Sequence, residues 1–297
     1  MMTTATTQSV RRSGKFNQNQ ATTTERIRFL GMCLIGSVML LPIYYMIYLA
    51  FSKPGTEYAW PPTFIPRPIA WSNIVDVPDS GDVPLWGYLR NSIIYTLLAT
   101  LGCLITQSLA GYAFARLKFP GRNLLFSVTV AMLLMPFVVT MIPRFILFNK
   151  VGLSDSIWPL IIPFWFGGSP YGIFLMRQFF LSIPPEIDEA ARVDGAGSWR
   201  ILWTILIPQS IPVLVALGTL HVAYFWNDLL GPLIYCQSQK WKTLPQGIIF
   251  NYQSNWNPRY ALFMMSALLM LIPTATLFLV LQRRFKQGFL FSGLGGR

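Results

Sequence analysis

In this chain of 297 residues, the side chains best suited to chemistry fall into two short stretches. One is Trp226-Asn227-Asp228, an aromatic face followed by an amide and a carboxylate. A sugar site combines an aromatic platform with amides and carboxylates that hydrogen-bond hydroxyls, set in a largely apolar wall. These three residues are one candidate for a substrate pathway; the competing reading places Asp228 at the membrane interface or paired with a basic residue. The other stretch runs from Glu186 to Asp194 and carries four acids and one arginine. His221 stands alone, and a lone histidine in apolar surroundings reads as a packed, hydrogen-bonded group. Three cysteines (Cys33, Cys103, Cys236) and one histidine exclude a disulfide framework and any His-rich or multi-Cys metal site. A phosphate-cradling loop needs G-x-x-x-x-G-K-[ST], and the only Gly-Lys pair, Gly14-Lys15, lacks the first glycine. No catalytic residue, metal site or cofactor is expected in this chain.

The elements that must position these stretches follow from composition. Apolar residues make up 53% of the chain and charged residues 11%, with a mean hydropathy of +0.48; a soluble domain carries about 25% charge. A disordered protein is excluded and a polytopic membrane protein is indicated. A helix rises about 1.5 Å per residue, so about 20 apolar residues cross a hydrocarbon core of about 30 Å. Six stretches meet that length: Ile27–Phe51, Asn91–Ala115, Leu124–Pro143, Ile157–Met176, Ser210–Tyr235 and Tyr260–Leu281. The fold class is all-α, with six transmembrane helices. Pro42, Pro136, Pro163, Pro212, Pro232 and Pro273 fall inside spans, where membrane helices tolerate kinks. The first span is longer than a signal-peptide core and lacks an A-x-A site, so it reads as an uncleaved helix. Asp228 is the only acid placed within a span.

Residues 1–26 read as a disordered tail, 27–284 as the six-helix domain and 285–297 as a second tail. The loop between the first two spans carries seven of the 22 prolines and reads as ordered but irregular. The net charge of +12 is spread through short segments between apolar runs, so it reports topology rather than nucleic-acid binding. With six spans both termini share a side, and that side holds fifteen of the 23 Lys and Arg residues. The richer side is cytoplasmic, so both termini are expected inside a plasma membrane.

The segment 182–208 between the fourth and fifth spans reads as a short helix. Pro184 and Pro185 suit a helix start, and Glu186, Asp188 and Glu189 lie in its first turns, where the helix dipole favours acids. Gly195 and Gly197 stop it. Ala190 and Ala191 offer a small surface for close packing. A helix lying on the bilayer usually shows a basic polar face, so an acidic one on the cytoplasmic side points to a protein partner.

At this point the sequence resembles a known family. Glu189-Ala-Ala-x3-Gly195-x9-Ile205-x-Ile207-Pro208 is similar to the EAA loop of importer-type ABC transporter permeases, with Ile207 where the family usually has Leu. Asn91-Ser92, Gly111-Tyr-Ala-Phe-Ala-Arg116, Arg177-Gln-Phe-Phe180, Trp226-Asn-Asp228 and Gln282-Arg-Arg-Phe-Lys-Gln-Gly288 extend the resemblance over residues 27–297. Together they resemble the carbohydrate-uptake subfamily, the six-helix permease of maltose- or glycerol-phosphate-type importers. The resemblance implies a type I importer architecture and a chain that is half of a pore. It also implies a second permease subunit, two cytoplasmic ATPase subunits, an extracellular solute-binding protein and a sugar-like substrate. Glu189, Ala190, Ala191, Asp194, Gly195 and Pro208 would then form the ATPase-coupling loop, with Glu189 supplying a charged contact and Gly195 the turn. The tail Gly288 to Arg297 would reach toward the ATPase pair.

Two other classes compete. An ion-gradient-driven secondary transporter often shows inverted repeats and an ionisable site at mid-membrane, and neither is evident. A membrane enzyme would want several His, Asp or Glu residues at one depth, and one histidine with one late aspartate does not supply them.

Overall fold

The computed structural model describes residues 18–56, 64–77, 84–252 and 259–293, with side chains from residue 25 to residue 280 within those ranges. Among the described residues every regular element is helical: α1 (Gln18–Ala50), α2 (Ser72–Asp76), α3 (Leu85–Arg116), α4 (Arg122–Ala131), a 3₁₀ turn (Met132–Leu134), α5 (Phe137–Lys150), α6 (Trp158–Phe166), α7 (Pro170–Ser182), α8 (Pro185–Val193), α9 (Ser198–Arg200), a π-helical turn (Ile201–Leu206), α10 (Ile207–Gln209), α11 (Ile211–Trp226), α12 (Leu230–Tyr235), α13 (Leu244–Tyr252) and α14 (Tyr260–Gly293). Four helical spans are long and apolar enough to cross a bilayer: Glu25–Ala50, Leu85–Arg116, Trp158–Ser182 and Tyr260–Val280. Two bent pairs bring the number to the expected six when each is counted as one span.

The bent pairs and one early stop depart from the continuous spans read from the sequence. Between Leu134 and Phe137 the chain turns by 104°. Pro136 lacks an N–H and pushes Met135 into extended backbone (φ −80°, ψ 117°), so the helix cannot run through. Between Gln209 and Ile211 it turns by 77°. The continuous part of the fifth span, read from the sequence as starting at Ser210, is α11, which opens at Ile211 with Pro212. It also ends at Trp226 rather than Tyr235, because the ring of Pro232 would collide with the carbonyl of Asp228 in a continuous helix. The tails are shorter than expected, since α1 begins at Gln18 and α14 continues to Gly293. Once an apolar span has nucleated a helix, adding polar residues to its end costs little. Residues 1–17 and 294–297 lie outside the described residues.

The centre of the domain is α3, which packs against α6, α7 and α11, while α1 lies against α14. Lipid tails are as apolar as Leu, so close fit rather than water exclusion holds membrane helices together. The sequence supplies that fit with small residues. A Cβ added at Gly111 would sit 2.7 Å from Met176 Cβ, one at Gly102 would sit 2.6 Å from the Trp165 indole, and one at Gly172 would overlap Gln107 Oε1. At Gly111 α3 meets the backbone of α7, and at Gly102 and Gly172 the missing side chain makes room for Trp165 and Gln107. Side chains fill the rest in three buried clusters: Tyr112, Met176, Phe180 and Leu206 near the Arg116 end of α3; Tyr95, Cys103, Leu160 and Phe225 further along; and Tyr88, Trp226, Tyr252 and Met265 toward the Leu85 end.

Candidate functional site

The loop between the fourth and fifth spans folds as the sequence led one to expect. Pro185 occupies the first position of α8, Glu186 and Asp188 sit in its first turn and Arg192 in its last. The helix ends in a Schellman turn: Gly195 N–H donates to Arg192 O (3.0 Å) and Ala196 N–H to Ala191 O (2.9 Å). Gly195 has φ +80°, the left-handed backbone that glycine adopts without strain, and nothing lies within 4 Å of where its Cβ would be. Its requirement is thus conformational rather than steric within this chain.

The two faces of α8 differ. Ile187, Asp188 and Ala191 turn inward, joining the cluster around Met176, Phe180 and Leu206. Glu189, Ala190, Val193, Asp194 and Gly195 turn outward and are exposed, with Val193 88% exposed. The two alanines of the motif therefore do different things: Ala191 seats the helix, and Ala190 keeps the outer face low. Pro208, exposed in α10, has no N–H and cannot close a normal turn with Thr204; the preceding turn is π-helical. Sequence reasoning treated Asp188 as a dipole-compensating acid and Arg116 only as the last residue of the motif Gly111-Tyr-Ala-Phe-Ala-Arg116. In the structure Arg116 Nε lies 3.1 Å from Asp188 Oδ2, both side chains are buried, and Arg116 Nη2 donates to Ile183 O (2.7 Å). The signal was present in the sequence: Ile183, Ile187 and Ala191 make one apolar face, and Asp188 lies beside it.

The second stretch is divided by the break after α11. Trp226 is buried, donates its Nε1–H to Met270 O (3.0 Å) and lines an apolar cavity of about 340 Å³ with Leu244, Ile248 and Met270. Asn227 and Asp228 line a different cavity of about 510 Å³, together with Tyr95, Arg144, Phe164 and Tyr235. Trp226 therefore does not share a wall with its two neighbours. Asn227 is exposed, and its Nδ2 donates to Ala223 O. Asp228 accepts from Tyr95 Oη (2.8 Å) through Oδ2 and from Gly231 N–H (3.1 Å) through Oδ1. The carboxylate thus ties α3 to α12 and stands at the junction of two helices, not within one. Arg144, from α5, was missed; at sequence level it was counted only for topology.

The long return from α12 to α13 is pinned down. Asn91 Nδ2 donates to Lys240 O (2.8 Å) and Lys242 O (3.0 Å), and Ser92 Oγ accepts from Leu244 N–H (2.8 Å). Asp155 Oδ1 accepts from Gln237 N–H (2.9 Å) and Ser238 N–H (2.8 Å), and those hydrogen bonds, that from Ser238 foremost, hold its carboxyl below the usual range. His221 is buried with its Nε2 3.1 Å from Gln107 Oε1, a packed and hydrogen-bonded group. Among the described residues no group of three or more His, Cys, Asp or Glu could hold a metal ion.

Comparison with known proteins supplies a context for both sites. The chain is 32% identical over 267 residues to the sn-glycerol-3-phosphate transport system permease protein UgpE of Yersinia enterocolitica, covering 88% of this chain and 94% of that protein. It is 28% identical over 270 residues to the arabinooligosaccharides transport system permease protein AraQ of Halalkalibacterium halodurans, covering 90% and 95%. The fold matches a chain in the crystal structure of a bacterial ABC transporter involved in the import of the acidic polysaccharide alginate, with a TM-score of 0.79, 22% identity and coverage of 91% and 99%. The sequence pattern of one family, described as the binding-protein-dependent transport system inner membrane component, matches residues 107–290. That match replaces the ion-gradient alternative with ABC transport and takes in both the exposed face of α8 and the cavity at Asp228. The chain belongs to the family of binding-protein-dependent inner membrane transport components.

Proposed function

We propose that this chain is one permease subunit of an ATP-driven importer that carries a sugar or sugar-like solute inward. The observation that carries the reading is α8: one face is seated on the transmembrane core, and the other, with Glu189, Ala190, Val193 and Asp194, is exposed and capped by the turn at Gly195. A short rigid helix with a seated face and a free face passes a push from a partner to the core. In this reading two cytoplasmic ATPase subunits receive the free face, a second permease completes the pore, and an extracellular binding protein delivers solute. Both termini are then cytoplasmic, as are α8 and the Arg116 end of α3. The cavity at Asn227 and Asp228 lies toward the outside.

The names of the relatives support a carbohydrate-like cargo, and the cavity has matching chemistry: the Asn227 amide, the Arg144 guanidinium and the rings of Tyr95, Phe164 and Tyr235. We assign the substrate pathway to this cavity. Trp226, walled off in its own cavity, supports the break without touching solute.

The test is to purify the tagged chain with its co-expressed neighbours and place the assembly in lipid nanodiscs. ATPase subunits and a second permease should co-purify, and ATP turnover should rise when a sugar-loaded binding protein is added. A panel of glycerol 3-phosphate, arabino-oligosaccharides and maltose would assign the cargo. Uptake driven by an ion gradient without ATP would overturn the proposal.

A further inference from the structure

The pair formed by Arg116 and Asp188 is the only ion pair among the described residues. It is a poor device for stability. Both side chains are about nine-tenths buried (9% and 8% exposed), Arg116 Nε is out of line for a hydrogen bond to its partner, and Asp188 Oδ1 has no hydrogen-bond donor among the described residues. Removing two charges from water is costly, and an incompletely hydrogen-bonded pair recovers only part of that cost. What the pair does supply is register. Asp188 projects from the inner face of α8, and Arg116 is the last residue of α3, with its other arm on Ile183 O just ahead of α8. The guanidinium thus grips both the lead-in and the body of the helix.

Further toward its Leu85 end, α3 carries a second polar tie. Tyr95 Oη donates to Asp228 Oδ2, and Asp228 in turn accepts from Gly231 N–H at the start of α12. Tyr95 and Arg116 are 21 residues apart on a helix without proline, about 32 Å at 1.5 Å per residue. Among the spans, α3 differs from its broken neighbours: α4 with α5 turns by 104°, α9–α10 with α11 by 77°, and α6 with α7 is interrupted at Gly167–Ser169. An unbroken helix with a charged latch at Arg116 and a carboxylate latch at Tyr95 transmits displacement that a broken helix absorbs.

We infer that Arg116 and Asp188 are positioning residues for coupling: they fix α8 to α3, so that movement of α8 reaches the cavity at Asp228 through α3 and Tyr95. This rests on the reading of the chain as an ATP-driven permease. It adds a route for the coupling, and that route predicts which side chains can uncouple the two ends without dismantling either.

The experiment uses the full assembly with its ATPase subunits and second permease in nanodiscs. Cys33, the exposed native cysteine, is replaced by Ser; Leu230, exposed at the cavity, is replaced by Cys as the reporter. Maleimide labelling at position 230 is timed with and without ATP plus orthovanadate. The unsubstituted pair should show a nucleotide-dependent change in rate of about fivefold or more. Arg116→Gln and Asp188→Asn should each keep the ATPase subunits bound on purification yet reduce that change to under about twofold. The swap Arg116→Asp with Asp188→Arg should recover a change larger than either single variant, which a role in folding alone does not require. The inference is overturned if the single variants keep the full change, if the swap does no better than the singles, or if neither single variant assembles. If the unsubstituted protein shows no nucleotide-dependent change, or binds no ATPase subunit, the importer reading itself fails.

Discussion

Individual residues here carry demands that a sequence states only in part. Gly195 was legible as a helix stop, and its φ of +80° is the physical reason. Gly195→Ala should cost about 1 kcal/mol of backbone strain, read as about fivefold faster amide exchange in α8. Gly195→Asn should fall between Gly and Ala, because Asn tolerates left-handed backbone; equal exchange in all three would show that the turn is not held. Asp155 carries a prediction about pH. Its folded pKa is depressed by hydrogen bonds, so its contribution is present above the ordinary carboxylate range and is lost as pH falls through the lowered folded value. Exchange protection of Gln237 and Ser238, corrected for intrinsic rate, should therefore drop on acidification. In Asp155→Asn, where an oxygen acceptor remains without charge, that dependence should vanish. Unlike Gly195, Asp155 gave no signal in the sequence, because its partners lie more than eighty residues away.

At the scale of elements, the six apolar stretches and the acidic loop helix were readable because length and period alone dictate them. The breaks were not. Pro42 and Pro273 sit inside continuous helices, whereas the backbone turns sharply after Pro136, and the same residue type gives no local sign of which will happen. The outcome depends on whether neighbouring elements satisfy the freed carbonyls. Trp226-Asn227-Asp228 shows the consequence for the site: read as one patch, the triplet is split by the break that Pro232 enforces, so only Asn227 and Asp228 reach the larger cavity. The joint between α3 and α7 makes a further prediction. Gly172→Ala would drive a methyl into Gln107 Oε1, which faces His221, and overpacking of this sort costs about 1–3 kcal/mol. The melting temperature of the permease pair should fall, and Gln107→Ala in the same chain should recover part of the loss. Purely additive losses would mean the two positions do not share a contact.

For the whole molecule, the orientation that charge asymmetry implies makes a direct prediction. Cysteines placed at Lys118 and Val193 should react with impermeant reagent only from the cytoplasm, and one at Ser238 only from outside; the reverse pattern would invert every assignment of inner and outer ends. Within that frame the turn of 104° at Pro136 has a consequence for how such a transporter diversifies. Of the elements that would carry force, the unbroken α3 is packed on several sides and α8 is seated by its inner face. Arg144, by contrast, reaches the cavity from α5, a helix set off from α4 by that turn and with Phe148 as its one buried residue. Under the proposed function, substitutions on α5 should alter what the cavity admits at little cost to the fold. Cargo choice and power stroke would then be separately inheritable, and a lineage could change its diet without rebuilding its engine.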